Sequence, residues 1–443
     1  MHIQLSEHFT YKKLLRFTLP SIVMMVFTSI YGIVDGFFVS RYVGKTAFTA
    51  INFIWPFLMM LGAVGFMLGT GGSALVAKTM GEGNLKKANR LFSLFIYVSV
   101  FCGLAITALG FLFLRPVASL LGAEGDLLEH CVSYGRILLV ALTSYILQME
   151  FQSFFITAER PTLGLIFTLA SGLTNIVLDA LFIAVFRFGL AGAAWATAIS
   201  QMVGGFGPLF YFFRKHNGSP LRLTKTRYDG KSLLRACTNG SSELMANVSM
   251  SLVGMLYNVQ LMKYAGEDGV AAYGVLMYVT MIFLSVFIGY AVGTAPVVSF
   301  HYGAQNHNEL KGILKRSLVI IGVSSVGMVV LSEVFASPLS RLFVGYDLEL
   351  FTLTKKGFYI YSFSYLFSGL AIYGSSFFTA LNNGLVSALI SFLRTLVFQI
   401  AAVLLLPLIW GINGIWVSVI VAELMAALVT VIFLIVLRKK YKY

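Results

Sequence analysis

Five acidic side chains stand inside long apolar runs of this chain: Asp35, Glu150, Asp179, Glu243 and Glu423. A carboxylate held in hydrocarbon is costly, so each is a functional candidate by default. Asn175 and Asp179 are four residues apart and share one face of a helix. Thr197 follows in the next apolar run. At 1.5 Å rise per residue, Asp35, Asp179 and Thr197 all fall within about 10 Å of the same surface. Two carboxylates, an amide and a hydroxyl at one depth make a hard-oxygen set. Such a set can bind Na⁺, or hold protons whose release is coupled, because two close carboxylates cannot both ionise cheaply.

The remaining acids have different company. Glu150 lies in Gln148-Met-Glu150-Phe-Gln152, a polar stripe deeper in its run that suits a cationic solute or a buried structural bond. Glu243, with Asn247 one turn on, is the main acid of the second half and has the same two readings. Glu423 lacks a polar neighbour at i±4 and reads as structural. Pro20, fifteen residues before Asp35, weakens a helix locally and can act as a hinge; a first-turn proline is the alternative. The six histidines (His2, His8, His130, His216, His301, His307) fall in tails, loops or run ends. No HExxH, GxSxG or Walker A pattern occurs, so neither an enzyme nor a resident cofactor is expected. Cys102, Cys131 and Cys237 are odd in number and far apart, which reads as three small buried side chains.

The elements that must position these residues follow from composition. Of 443 residues, 58% are hydrophobic and only 11% charged, with mean hydropathy +0.85. An ordinary soluble chain is nearer a quarter charged, so a soluble enzyme is excluded. Apolar runs near 16–40, 47–70, 88–113, 131–157, 163–186 and 191–213 predict six spanning helices. Runs near 233–263, 270–300, 312–335, 352–380, 385–408 and 413–437 predict six more. The one long polar break, Arg214 to Lys231, divides them evenly. The expectation is an all-α polytopic membrane protein: an N-lobe over 1–215, a basic linker over 216–232, and a C-lobe over 233–443.

Net charge is +14, and 22 of the 32 Lys and Arg fall on the side that holds both termini and the linker. That bias predicts a multi-pass protein of the cell (inner or plasma) membrane with both termini cytoplasmic, and makes nucleic acid an unnecessary partner. The halves repeat at an offset of 222: Tyr42-Val-Gly44 answers Tyr264-Ala-Gly266, Gly189 and Gly192 answer Gly411 and Gly414, and Gly81-Glu-Gly-Asn84 answers Gly303-Ala-Gln-Asn306. Six spans per copy is an even number. Both copies therefore enter from one side, related by an axis along the membrane normal, with a cleft between two bundles. That architecture predicts an alternating-access transporter.

Together, the Pro20…Asp35 spacing, Asn175-x-x-x-Asp179 followed by Thr197, the GEGN and GAQN turns and the two six-span halves resemble the multidrug and toxic compound extrusion (MATE) family over the whole chain. The resemblance implies a secondary antiporter exporting organic, often cationic, drugs in exchange for H⁺ or Na⁺. It implies that Asp35, Asn175, Asp179 and Thr197 match the family's N-lobe cation site, and that Glu243 matches the C-lobe acid of some members. Span 10, YSFSYLFSGLAIYGSSFFTA, lacks the Asp of the branch with a C-lobe Na⁺ site, which favours coupling through the N-lobe. The pattern is similar to the bacterial drug-exporting branches. Substrate contacts are expected at Gln148, Glu150, Gln152, Glu243 and Asn247, in a monomer surrounded by membrane lipid. A flippase for lipid-linked oligosaccharide or lipid, from the same superfamily, is the alternative.

Overall fold

The computed structural model describes residues 3–120, 122–214, 218–345 and 347–443. His2, Lys215 and His216, with the expected lobe boundary between the last two, lie outside the described residues. The first six spans are α1 (Tyr11–Tyr42), α2 (Lys45–Gly81), α3 (Leu85–Leu120), α4 (Gly125–Thr157), α5 (Pro161–Val185) and α6 (Gly189–Phe213). The next helical stretch, Gly230–Gly303, breaks at Gly266 (φ 62°, ψ −152°) into α7 (230–265) and α8 (267–303). Then come α9 (His307–Val344), α10 (348–380), α11 (Gly384–Trp410) and α12 (Ile412–Val436). Among the described residues nine helices are long and apolar enough to span by those criteria alone, with Gly230–Gly303 counted once. Dividing that stretch and adding α6 and α10 gives twelve.

Capping side chains, rather than hydropathy, set several helix starts. Thr10 accepts from the Lys13 N–H at 3.4 Å, Asp229 from Ser232 at 3.1 Å, and Asn306 from Glu309 at 3.1 Å. Helix α1 therefore begins at Tyr11, five residues before the apolar run, and Pro20 is well inside it. The first-turn alternative for Pro20 is thus excluded. Its ring leaves the Arg16 carbonyl without the usual helical donor.

The repeat is visible in the backbone. Gly44 (φ 116°) answers Gly266 (φ 62°), and Gly189 (φ 63°) answers Gly411 (φ 56°), all in conformations that L side chains rarely adopt. Pro116 inside α3 likewise answers Pro338 inside α9. Both chain ends, the linker and the turns after α2, α4, α8 and α10 share one face, called the linker face below. There Leu5 donates to the Glu159 carboxylate (2.8 Å), Arg160 bonds the Gly218 carbonyl, and Tyr441 meets Tyr302.

The halves meet mainly through α1 and α2 packing on α7 and α8. Small residues let the backbones approach: Gly240 lies against Met67, Gly289 against Ile22, and Gly293 against Thr18. At the linker face, Gly81 lies against Phe300 and its repeat mate Gly303 against Lys78. Leu5, Phe9, Leu14 and Phe17 are buried within the core of the second half. The chain's N-terminal stretch therefore crosses onto the bundle it does not precede in sequence.

Candidate cation and solute sites

The four residues of the predicted oxygen set converge. Asp179 (0% exposed) ends the regular part of α5, where the helix widens into a π turn over Ala180–Val185. Such turns add a residue to the helical repeat and recur at functional sites. One turn earlier, the Asn175 amide donates to the Thr197 hydroxyl of α6 at 3.4 Å. Asp35, on α1, places its carboxyl beside both Asp179 and Asn175. Asp35 Oδ1, Asn175 Oδ1 and both Asp179 carboxylate oxygens have no protein hydrogen-bond donor. A carboxylate only accepts, so two of them this close call for a proton or a cation between them. Among the described residues no three His, Cys, Asp or Glu side chains cluster. The donor set is two carboxylates, one amide and one hydroxyl, which fits H⁺ or a hard monovalent ion better than a transition metal.

Two further side chains surround this set. Tyr31 stands one helical turn before Asp35 on α1, and buried Tyr134 of α4 lies beside Thr197, Asp35 and Asp179. The i, i+4 spacing of Tyr31 and Asp35 was a usable sequence signal. Tyr134 had none, because only the packing of α4 against α6 brings it there.

The stripe around Glu150 comes apart. Gln148 donates to Ser171 of α5 at 3.2 Å, and Ser171 donates to the Ser200 carbonyl of α6 at 2.7 Å. Gln152 follows one turn along on that side. Glu150 is about 200° around α4 from Gln148. Fully buried, it faces Ser99 and Cys102 of α3, with its backbone against Gly69 of α2. The structure does not bring Glu150 together with the two glutamines.

The second half carries a different cluster. Arg394, on a π turn over Leu393–Val397, pairs with Glu423 of α12 through Nε at 2.8 Å. Half-buried Glu243 of α7 lies within the field of the same guanidinium. Asn247 bonds the backbone carbonyl of Glu243, not its carboxylate (2.8 Å). At the repeat offset, Asp35 is answered by Tyr257, Asp179 by Ala401 and Thr197 by Val419. Tyr257 donates to Gln399 at 2.7 Å. The paired acids therefore belong to the first half alone.

Twelve spans in two related bundles, with a buried oxygen set in one of them, define a polytopic membrane transporter rather than an enzyme. The MatE family model matches residues 20–181 and again 244–405, once in each half. The chain belongs to that family. It is 23% identical over 435 residues to the multidrug export protein MepA of Staphylococcus saprophyticus, covering 97% of this chain and 94% of the relative. It is 22% identical over 432 residues to MepA of Staphylococcus aureus strain MRSA252, with the same coverage. Among solved structures, one described as the outward-facing conformation of a multidrug resistance MATE family transporter superposes with TM-score 0.93 at 22% identity, covering 99% of this chain and 98% of that one. A transporter of the MOP superfamily from Pyrococcus furiosus, described as having a binding pocket of reverse polarity, superposes with TM-score 0.90 at 22% identity and the same coverage.

Proposed function

We propose that this protein is a secondary antiporter that exports lipophilic organic cations in exchange for H⁺ or Na⁺ by alternating access. The observation that carries the proposal is the Asp35–Asp179 pair. It has four acceptor or carboxyl oxygens without protein donors, counting Asn175, and sits at the junction of α1, α5 and α6. The charge bias supports a cytoplasmic linker face, with both termini on the cytoplasmic side of a cell membrane. The MepA relatives are named multidrug export proteins, which supports drug-like substrates.

In this mechanism a cationic solute enters from the cytoplasm or inner leaflet. It is held by carboxylate charge and by aromatic faces, each worth about 0.5–2 kcal/mol in cation–π attraction. Gln148 and Gln152 offer polar contacts on one side of α4, and Glu243 and Asn247 offer them in the second half. Asp35 and Asp179 then take H⁺ or Na⁺ from the far side. Neutralised, the pair no longer attracts the solute, and binding of ion and solute oppose each other by the same factor in both directions. Pro20 gives α1 a place to bend between the two states.

The test is efflux of a fluorescent lipophilic cation from proteoliposomes, driven separately by a proton and a sodium gradient. Wild type is compared with Asp179→Asn. Efflux under one gradient, lost in the variant, supports the proposal and names the ion. Folded protein that moves no cation under either gradient, but scrambles a labelled lipid, would replace it with the flippase reading.

A further inference from the structure

The linker between the halves is not slack. Residues 220–226 lie along the first turns of α3 and are pinned there by side chains on that helix. Asn89 donates to the Pro220 carbonyl at 3.2 Å and accepts the Arg222 N–H at 2.6 Å. One turn on, Ser93 accepts the Thr224 N–H at 2.8 Å. The Thr226 hydroxyl then donates to the Arg90 carbonyl at 3.0 Å. This tether fixes the linker in register with the helix, so side chains from both line one cavity of about 780 Å³.

The cavity's chemistry is lopsided. Lys87 and Arg90 enter it from α3, Lys225 and Arg227 from the linker, and all four are exposed. Asp229 is the acid at its rim. Both of its carboxylate oxygens are engaged by Ser232, at 3.1 Å from the N–H and 2.6 Å from the hydroxyl. Those bonds, with Lys87 nearby, hold it below the usual carboxylate range. Ionised, it offsets one of the four cations and leaves the cavity with a net positive charge. Leu91 and Leu94, buried in the core, close the cavity from inside, and the exposed stripe of α3 beyond it continues through Phe101 and Leu104. Tyr97 (43% exposed) and Tyr228 (79% exposed) are outward-facing aromatics beside it. Basic groups at the first turns of α3, tyrosines next and exposed apolar side chains beyond form the profile of a membrane interface.

We propose that this cavity binds the phosphate headgroup of an anionic phospholipid from the leaflet on the linker face. Lys87, Arg90, Lys225 and Arg227 hold the phosphate oxygens, while the acyl chains run along the exposed face of α3 at Tyr97, Phe101 and Leu104. The bound lipid joins α3 to the linker and so braces the segment that connects the two halves. A basic cluster that only enforced topology would need neither a shaped cavity nor the tether.

The test uses the full chain purified in detergent. Its melting temperature is followed on adding phosphatidylglycerol, phosphatidylcholine or inorganic phosphate. Wild type is run beside Lys225→Gln/Arg227→Gln, two exposed substitutions that keep the linker backbone bonds to Asn89 and Ser93. Phosphatidylglycerol should raise the melting temperature of wild type and phosphatidylcholine should not. In the double variant the half-saturating phosphatidylglycerol concentration should rise about 25-fold, roughly fivefold per basic residue. An equal response of variant and wild type, with lipid-free melting unchanged, overturns the proposal. So does equal protection by phosphatidylcholine. Protection by inorganic phosphate matching that of the lipid would assign the cavity to a soluble phosphate compound instead. Should the variant melt early without lipid, native mass spectrometry of Lys87→Gln decides by counting bound phosphatidylglycerol, and undiminished occupancy overturns the proposal.

Discussion

Gly303→Ala should open the linker face. A methyl on Gly303 would lie 2.8 Å from the carbonyl carbon of Lys78 and 3.0 Å from its Cα, and closer still to its carbonyl oxygen. Carbon–carbon contacts sit at about 3.5–4.0 Å, so α2 and α8 must separate by roughly 1 Å. The neighbour is backbone, which cannot rotate aside, and overpacking of this kind costs about 1–3 kcal/mol. That cost falls only on the state in which the helices touch here. The ratio of separated to closed molecules should therefore rise by about 5- to 150-fold. Spin labels at Lys86→Cys and Lys311→Cys, in a background lacking Cys102, Cys131 and Cys237, report the distance across the linker face. Gly322→Ala is the control, since a methyl there meets nothing within 4 Å. A Gly303→Ala distance distribution identical to that of the control would refute the reasoning, because the two helix ends would then not be in contact in the molecule.

Three further outcomes follow from the same geometry. Arg394→Met should lower the melting temperature, because it strands Glu423 (6% exposed); breaking a buried pair costs about 3–5 kcal/mol, and adding Glu423→Leu should restore most of the loss. Tyr134→Phe removes a buried hydroxyl that has no protein partner and lies beside Thr197, Asp35 and Asp179; it should weaken ion-driven efflux about 3- to 10-fold with little change in melting, the scale of one hydrogen bond lost to the bound ion or proton. Glu309→Gln loses the charge that engages His8 (2.5 Å), the Phe9 N–H (2.9 Å) and Arg316 (3.4 Å), and should speed hydrogen exchange over residues 5–10 by at least about tenfold.

Much of the spanning architecture was legible because apolar runs are long and the membrane tolerates few exceptions. Helix ends were less so. The run ending near residue 70 becomes a helix reaching Gly81, since α2 continues past the hydrocarbon and stops only at a glycine turn. The Asn175–Asp179 pair was readable from spacing on one helix, and Asp35 and Thr197 from matching depth. The partner of Glu423 was not, because Arg394 is 29 residues away on a π turn that no composition signals. The Glu150 stripe illustrates the opposite error. Residues two apart in a helix look adjacent in sequence yet point to opposite sides, and only Gln148 and Gln152 share a face.

The central claim is that ion and solute compete through Asp35 and Asp179. The most direct measurement is equilibrium binding of a lipophilic cation such as tetraphenylphosphonium to the purified protein, across pH and across Na⁺ concentration. Wild type is compared with Asp35→Asn and Asp179→Asn. The account predicts that affinity falls as pH is lowered or as Na⁺ is raised, since either ion neutralises the pair, and that each substitution flattens the dependence. Affinity that ignores both ions in wild type, or a dependence that survives both substitutions unchanged, would contradict it.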